Sequence, residues 1–244
     1  MRPIGIITDS HSSITQEEAK KLGIWVLPMP FYIDGECYLE GVNLTREEFF
    51  AKLESGSAIT TSQPSPADVC DVWDWALKEF EKVLYMPLSS GLSGSCQTAR
   101  MLAMEEEYED KVFVVDNQRI SLTLAQSVKE AQMMAAMGYD GAKIKKRLEE
   151  TKMDAAIFIT VDTLKYLKKG GRITPAVAMI GTLLKIKPIL SIFGEKLDSY
   201  AKARTVKQAK ATMVEGVVKE LCDRFHDPEC RHTHLGVAHT QNEE

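Results

Sequence analysis

Residues 83–104 read VLYMPLSSGLSGSCQTARMLAM. An apolar run ends at Pro87–Leu88. Ser89, Ser90, Gly91, Ser93, Gly94 and Ser95 then crowd in before a helix-like segment begins. Four hydroxyls and two glycines at the mouth of a strand–helix turn suit a small anionic group. A helix N-terminus offers N–H groups without intrahelical acceptors and a positive partial charge, which favour carboxylate or phosphate. Glycines such as Gly94 let backbone approach a ligand, and serines add donors. The same residues also suit a plain strand–helix connection capped by Ser95. They are not a P-loop, because no Gly-Lys-Ser/Thr follows. Nor are they a nucleophile elbow: Gly91-Leu92-Ser93-Gly94-Ser95 lacks glycine at the fifth place of G-x-S-x-G.

Other segments carry possible chemistry. In SAITTSQPSPAD (57–68), Thr60, Thr61, Ser62 and Gln63 precede a Ser-Pro helix start. They read either as a second donor set or as a loop with its cap. In YLKKGGRIT (166–174), Lys168, Lys169 and Arg172 surround two glycines. A guanidinium there suits an anion or a hydrogen-bond network, and basic residues also answer a helix C-terminal dipole. In TDSHSS (8–13), Asp9 and Ser10 read as caps of the next turn, although an aspartate in that place also suits a loop anchor or a metal. CDRFHDPECRHTH (222–234) holds Cys222, His226, Cys230, His232 and His234 but no Cys-x-x-Cys pair, so no metal is expected.

These residues need a scaffold. Strand-like runs at 3–10, 24–33, 82–88 and 111–117 alternate with helix-like runs at 14–23, 44–56, 65–80, 95–107, 122–138 and 140–152. Thr15 with Glu18 and Thr45 with Glu48 form capping boxes, Gly23 and Gly56 stop those helices, and Ser65 caps a helix with Pro66 in its first turn. Strand–helix alternation predicts a parallel sheet covered by helices. From about residue 150 the rhythm changes. A strand (154–161), a short helix (162–171), a helix (176–185), a hairpin around Gly194 (186–204), a helix (206–225) and a strand (233–240) follow. The expected architecture is α/β with two domains. Residues 1–150 form an N-terminal, mostly parallel sheet flanked by helices and carry the hydroxyl-rich loops. Residues 151–244 form a smaller α/β domain with a mixed sheet. Gln241-Asn242-Glu243-Glu244 reads as a helix start, so this second domain is expected to be incomplete.

Composition narrows the partners. The chain has 244 residues, 44% of them hydrophobic and 27% charged, with net charge −5 and no basic block. That argues against nucleic acid, whose phosphates call for a positive face. Cys37, Cys70, Cys96, Cys222 and Cys230 are scattered and odd in number, which fits a reducing cytoplasm. The start MRPIGIITDS runs into a strand without signal-peptide features. The apolar stretch 175–193 is broken by Lys185, Lys187 and Pro188, so it is not a membrane span.

Together the segments resemble the DegV family of bacterial fatty-acid-binding proteins. The matching motifs are IGIITDSHSSI (4–14), ITTSQPSPAD (59–68), PLSSGLSGSCQTA (87–99), VVDNQRIS (114–121), TLKYLKKGGRIT (163–174), LLKIKPIL (183–190) and AKART (201–205). The resemblance implies a two-domain α/β carrier that holds one long-chain fatty acid between its domains. Its carboxylate donors fall on Thr61 and Ser93, with Ser62, Ser90 and Gly94 as neighbours. Arg172 and Arg204 match positions tied to the head-group network or to a partner. That partner is a separate fatty-acid kinase, which phosphorylates the carboxylate for phospholipid synthesis. The resemblance implies no catalysis by the carrier, no cofactor beyond its fatty acid, and at most transient contact with a membrane surface. The family's His-Thr-Gly-Pro-Gly type motif is absent here, and His239 sits in the strand before it. The apolar-rich stretches 122–137 and 175–193 are expected to line the tail's tunnel. Two other readings stay open: a serine hydrolase or acyl-transferase using Ser93 with His11 as base, and a phosphate or phosphosugar binder using the same turn.

Overall fold

A computed structural model describes residues 2–174, 177, 186–194 and 196–240. The chain divides into two compact units, residues 1–152 and 153–244.

The first unit is built on a parallel sheet of β1 (Arg2–Asp9), β2 (Trp25–Leu27), β6 (Phe80–Met86) and β7 (Val112–Val114), in the order β2-β1-β6-β7. Helices α1 (Gln16–Leu22), α3 (Pro66–Leu77), α4 (Ser95–Leu102), α5 (Ser121–Ala136) and α6 (Gly141–Glu150) cover it. Both faces are apolar, as a parallel sheet needs. Along β6, Leu84 and Met86 face one layer with Ala19 of α1, Leu124, Val128 and Ala131 of α5, and Ile144 and Leu148 of α6. Val83 and Tyr85 face the other layer with Val69, Val72, Trp73 and Ala76 of α3 and with Cys96 and Ala99 of α4. The β1–β2 crossover helix therefore packs on one face and the β6–β7 crossover helix on the other. Strand order reverses between β1 and β6, which makes the crevice beyond their carboxyl ends the topological switch point, where such sheets bind ligands. The residues that follow those two ends are Ser10 and the serine–glycine turn.

A second, antiparallel sheet in this unit consists of β3 (Pro30–Ile33), β4 (Glu36–Leu39) and β5 (Ile59–Thr61), in the order β4-β3-β5. The run 24–33 is thus two strands in two sheets. Asp34 and Gly35 both have positive φ, +52° and +90°, and close a two-residue hairpin whose twist matches its strands. Helix α2 (Arg46–Glu54) leads into β5. All three anticipated capping boxes or caps form, at Thr15/Glu18, Thr45/Glu48 and Ser65/Asp68.

The second unit contains β8 (Ile157–Thr160), α7 (Lys165–Gly170), β9 (Lys187–Phe193), β10 (Lys196–Ala203) and α8 (Val206–Asp223). Among the described residues its sheet, β10-β9-β8, is wholly antiparallel rather than mixed. The hairpin turns at Gly194, whose φ is +72°. Helix α8 packs on this sheet through Gly216; a Cβ there would lie 2.9 Å from the Phe158 ring, so only glycine admits the close approach.

A further expectation changes. Residues 233–239 form no strand, and His239 is exposed irregular chain. Instead Asp227 organises the segment before it: its carboxylate accepts the N–H groups of Arg231, His232 and Thr233, each at 2.8 Å, and the Thr233 hydroxyl at 2.9 Å. Those bonds, led by His232, hold its carboxyl well below the usual carboxylate range. The helix expected at 176–185 lies outside the described residues except for Val177, and the helix start expected at 241–244 lies wholly outside them.

Candidate functional site

The serine–glycine turn is fixed at its base by three consecutive backbone donors. Leu88 N–H donates to Asp9 Oδ2 at 2.6 Å, Ser89 N–H to the Arg119 carbonyl at 3.1 Å, and Ser90 N–H to Asp116 Oδ1 at 3.4 Å. The acceptors come from the end of β1 and from the loop that follows β7. The turn then closes on itself: the Ser89 carbonyl accepts from Leu92 and Ser93, and the Ser89 hydroxyl accepts from Gly91.

Helix α4 starts from Gly94, which has no side chain with which to cap it. Ser95, expected as the cap, is the first helical residue. The role passes in part to Ser93, whose Oγ accepts the Ser95 N–H at 3.2 Å. An accepting hydroxyl keeps its own O–H proton as a donor. Ser93 is half-buried and so presents that donor at the helix N-terminus. Ser90 is also half-buried.

The second hydroxyl-rich segment meets this turn. Thr61 ends β5, paired with Phe31, and is exposed. The chain then passes through Gln63, whose Nε2 donates to Thr98 Oγ1 of α4 at 3.1 Å. The Thr98 hydroxyl lies 3.3 Å from Gln63 Oε1. A Cβ on Gly94 would sit 3.1 Å from Gln63 Oε1, so this glycine gives the incoming side chain room. The segments carrying Thr61 and Ser93, far apart in sequence, are therefore joined at the first turns of α4. Ser62 differs from its neighbour: its hydroxyl donates to the Gln63 carbonyl at 3.1 Å, so its proton is already engaged.

Residues behind the turn were legible as a motif, VVDNQRIS, but not in their roles. Arg119 is buried, donating through Nη1 to Ser127 Oγ at 3.0 Å and through Nη2 to the Thr151 carbonyl at 2.7 Å. Arg100 of α4 lies 3.7 Å from Asp116 and 3.4 Å from Glu149, whose carboxylate also accepts the Asp116 N–H. This network ties α4, the loop after β7 and α6 together. Cys96 beneath it is inert as a nucleophile: burial, with Asp116 adding, pushes its thiol up to about 12. His11 stands beside Asp9, with Nδ1 3.7 Å from Oδ1.

Arg172 and Arg204 belong to the second unit. Gly171, in the left-handed conformation, caps α7, Lys168 and Lys169 occupy its last turn, and Arg172 Nη1 donates to the Gly170 carbonyl. The lysines thus answer the helix dipole. Arg204 is exposed between β10 and α8, its N–H donating to Gln208 Oε1 at 2.9 Å. Of the stretches expected to line a tunnel, 122–137 uses Leu124, Val128 and Ala131 for the core of the first unit. Most of 175–185 lies outside the described residues. Among the described residues no three His, Cys, Asp or Glu side chains cluster as a metal site, and no helix is long and apolar enough to cross a membrane.

Known proteins share this architecture. A DegV domain-containing protein of Deinococcus radiodurans is 36% identical over 215 residues, which span 88% of this chain and 76% of that one. Among solved structures, a fatty-acid-binding DegV family protein from Thermus thermophilus superposes with a TM-score of 0.80 at 35% identity, covering 89% of this chain and 77% of its own. A stearic-acid-binding protein from Eubacterium ventriosum gives a TM-score of 0.81 at 25% identity, covering 92% of this chain and 78% of its own. The family model described as "Uncharacterised protein, DegV family" matches residues 3–244, and with these relatives it establishes that the chain belongs to the DegV family.

Proposed function

We propose that this protein is a cytoplasmic carrier that binds one long-chain fatty acid and presents its carboxylate to a separate fatty-acid kinase for acyl-phosphate formation. Thr61 and Ser93 donate to the carboxylate. Ser90 and Gly94 shape the turn around it, and Ser62 supports the loop. Arg172 and Arg204 serve the head-group network or the kinase contact. The observation that carries this reading is the junction of Gln63 with Thr98 and Gly94, which brings two hydroxyl-rich segments to one helix N-terminus at the switch point of the sheet. Relatives named for bound fatty acids supply the ligand class.

The energetics suit a carrier. Burying each methylene contributes about 0.8 kcal/mol, so about sixteen carbons contribute on the order of 10 kcal/mol. Association costs several kcal/mol, which still leaves tight binding. The carboxylate adds little net affinity after desolvation, and its donors chiefly prevent an unpaired buried acid and so fix orientation. Transfer of a phosphoryl group would use the kinase's own nucleotide and metal, so the carrier needs only to hold the acid with its head group accessible.

Chain expressed in a bacterial host should carry a fatty acid through purification. Mass spectrometry of the denatured protein is expected to find one long-chain acid per chain. Protein that carries no lipid, fails to take up palmitate when delipidated, and binds inorganic phosphate instead would overturn the reading in favour of a phosphate binder.

A further inference from the structure

A turn of serines and glycines has little stiffness of its own. The β1–β6 ladder ends at the pair Thr8–Met86, and beyond it the Leu88 N–H finds no strand acceptor. Asp9 takes over at that point. We propose that Asp9 is the positioning residue of the head-group turn, its buried carboxylate bridging the ends of β1 and β6 across the switch point and holding residues 88–93 in the shape that receives an anionic head group. This rests on the carrier reading above.

The geometry of both oxygens supports the role. Oδ1 accepts the His11 N–H at 3.0 Å and Oδ2 the Leu88 N–H at 2.6 Å, across 79 positions of sequence. The side chain is wholly buried. A buried carboxylate is a costly anchor, but it offers what a serine or an asparagine does not: two acceptor oxygens and no donor. Both backbone groups that it faces are donors. An asparagine in its place would turn an NH₂ group toward one of them. The ionisable groups facing Asp9 are His11 on the turn after β1, Glu40 after β4 and Tyr85 on β6. Burial raises its carboxyl above the usual range, while His11 and the two N–H groups act the other way.

Leu88 is the first link of a short chain. Ser89 follows it, and the Ser89 carbonyl receives the Leu92 and Ser93 N–H groups. A shift at Leu88 therefore reaches the Ser93 hydroxyl with few intervening bonds.

The test compares palmitate with methyl palmitate, which shares the tail but lacks the charge. Asp9→Asn is expected to lower the preference for acid over ester by about tenfold while ester affinity holds. Thr8→Val is the control. It removes a buried bond of the same strand pair, from Thr8 Oγ1 to the Met86 carbonyl at 2.8 Å, without touching the turn, and should keep the preference. Wild-type protein that prefers the acid, with Asp9→Asn preferring it equally, would refute the role of Asp9 alone. Wild-type protein that binds neither ligand would refute the carrier reading and this proposal with it. Should Asp9→Asn not fold, amide exchange of Leu88 in unliganded wild-type protein decides. It is expected to be slowed about a hundredfold or more against an unstructured chain, and unprotected exchange would overturn the proposal.

Discussion

Replacing Thr61 and Ser93 together by alanine is expected to weaken palmitate binding by about a hundredfold or more, with methyl palmitate affected far less. A hydrogen bond to a charged group contributes about 1.5–3 kcal/mol, and removing its donor leaves a buried carboxylate short of a partner. The two effects share one ligand group, so they need not add. The fold should survive. Thr61 is exposed, and its backbone, not its side chain, makes the β3–β5 pairing. Ser93→Ala also deprives the Ser95 N–H of its acceptor, a loss of about 1 kcal/mol at the start of α4. Titration calorimetry beside thermal melts separates the two losses. Unchanged palmitate affinity in the double variant would remove Thr61 and Ser93 from the site.

The largest stability effect is expected at Trp73. Its side chain is fully buried in α3, edge-on to Tyr85 at 5.8 Å and to Tyr108 at 5.1 Å between ring centroids. It fills the layer between α3, α4 and the sheet, with Val69, Ala76, Val83 and Ala99 around it. Trp73→Ala removes that apolar area and leaves a cavity, which costs about 3–5 kcal/mol. Whole domains hold only about 5–15 kcal/mol, so the variant should melt far below wild type or fail to accumulate. Urea unfolding measures it, and a loss under about 1 kcal/mol would contradict the packing. The consequence reaches function because Ser65, the N-cap of α3, lies two residues beyond Gln63. A loosened α3 should therefore also lower palmitate affinity.

Local chemistry was the readable part of this sequence. The capping boxes at Thr15/Glu18 and Thr45/Glu48 need only three residues of spacing, and they form as expected. Gly194 turns its hairpin for the same local reason. Pairing was harder. Alternation at 233–240 describes what a strand would tolerate, yet a strand needs a neighbour, and Leu235 and Val237 are instead exposed. The proline-punctuated run 24–33 contains one strand for each of two sheets, a division that depends on partners 36–39 and 59–61 rather than on its own residues. Among the described residues the second unit's sheet is antiparallel, where a mixed sheet was expected, because β8 pairs with β9, the next described strand, and β9 with β10.

The family was legible because its motifs are sequence objects. The support behind the turn was not. Asp9 reads as a cap for its own turn and does accept the His11 N–H, but its second oxygen reaches Leu88, and no spacing rule links positions 79 apart. Gln63 looked like one polar residue of a loop, while its amide is the tie to Thr98. Such contacts arise only once strand order places the ends of β1, β6 and β7 side by side.

The carboxylate's seat is most directly tested by a crystal structure of the protein with palmitate bound. A carboxylate oxygen is expected within about 2.5–3.2 Å of both Thr61 Oγ1 and Ser93 Oγ, the range of a hydrogen bond. A carboxylate seated away from both hydroxyls, with the acyl chain leading elsewhere, would contradict it.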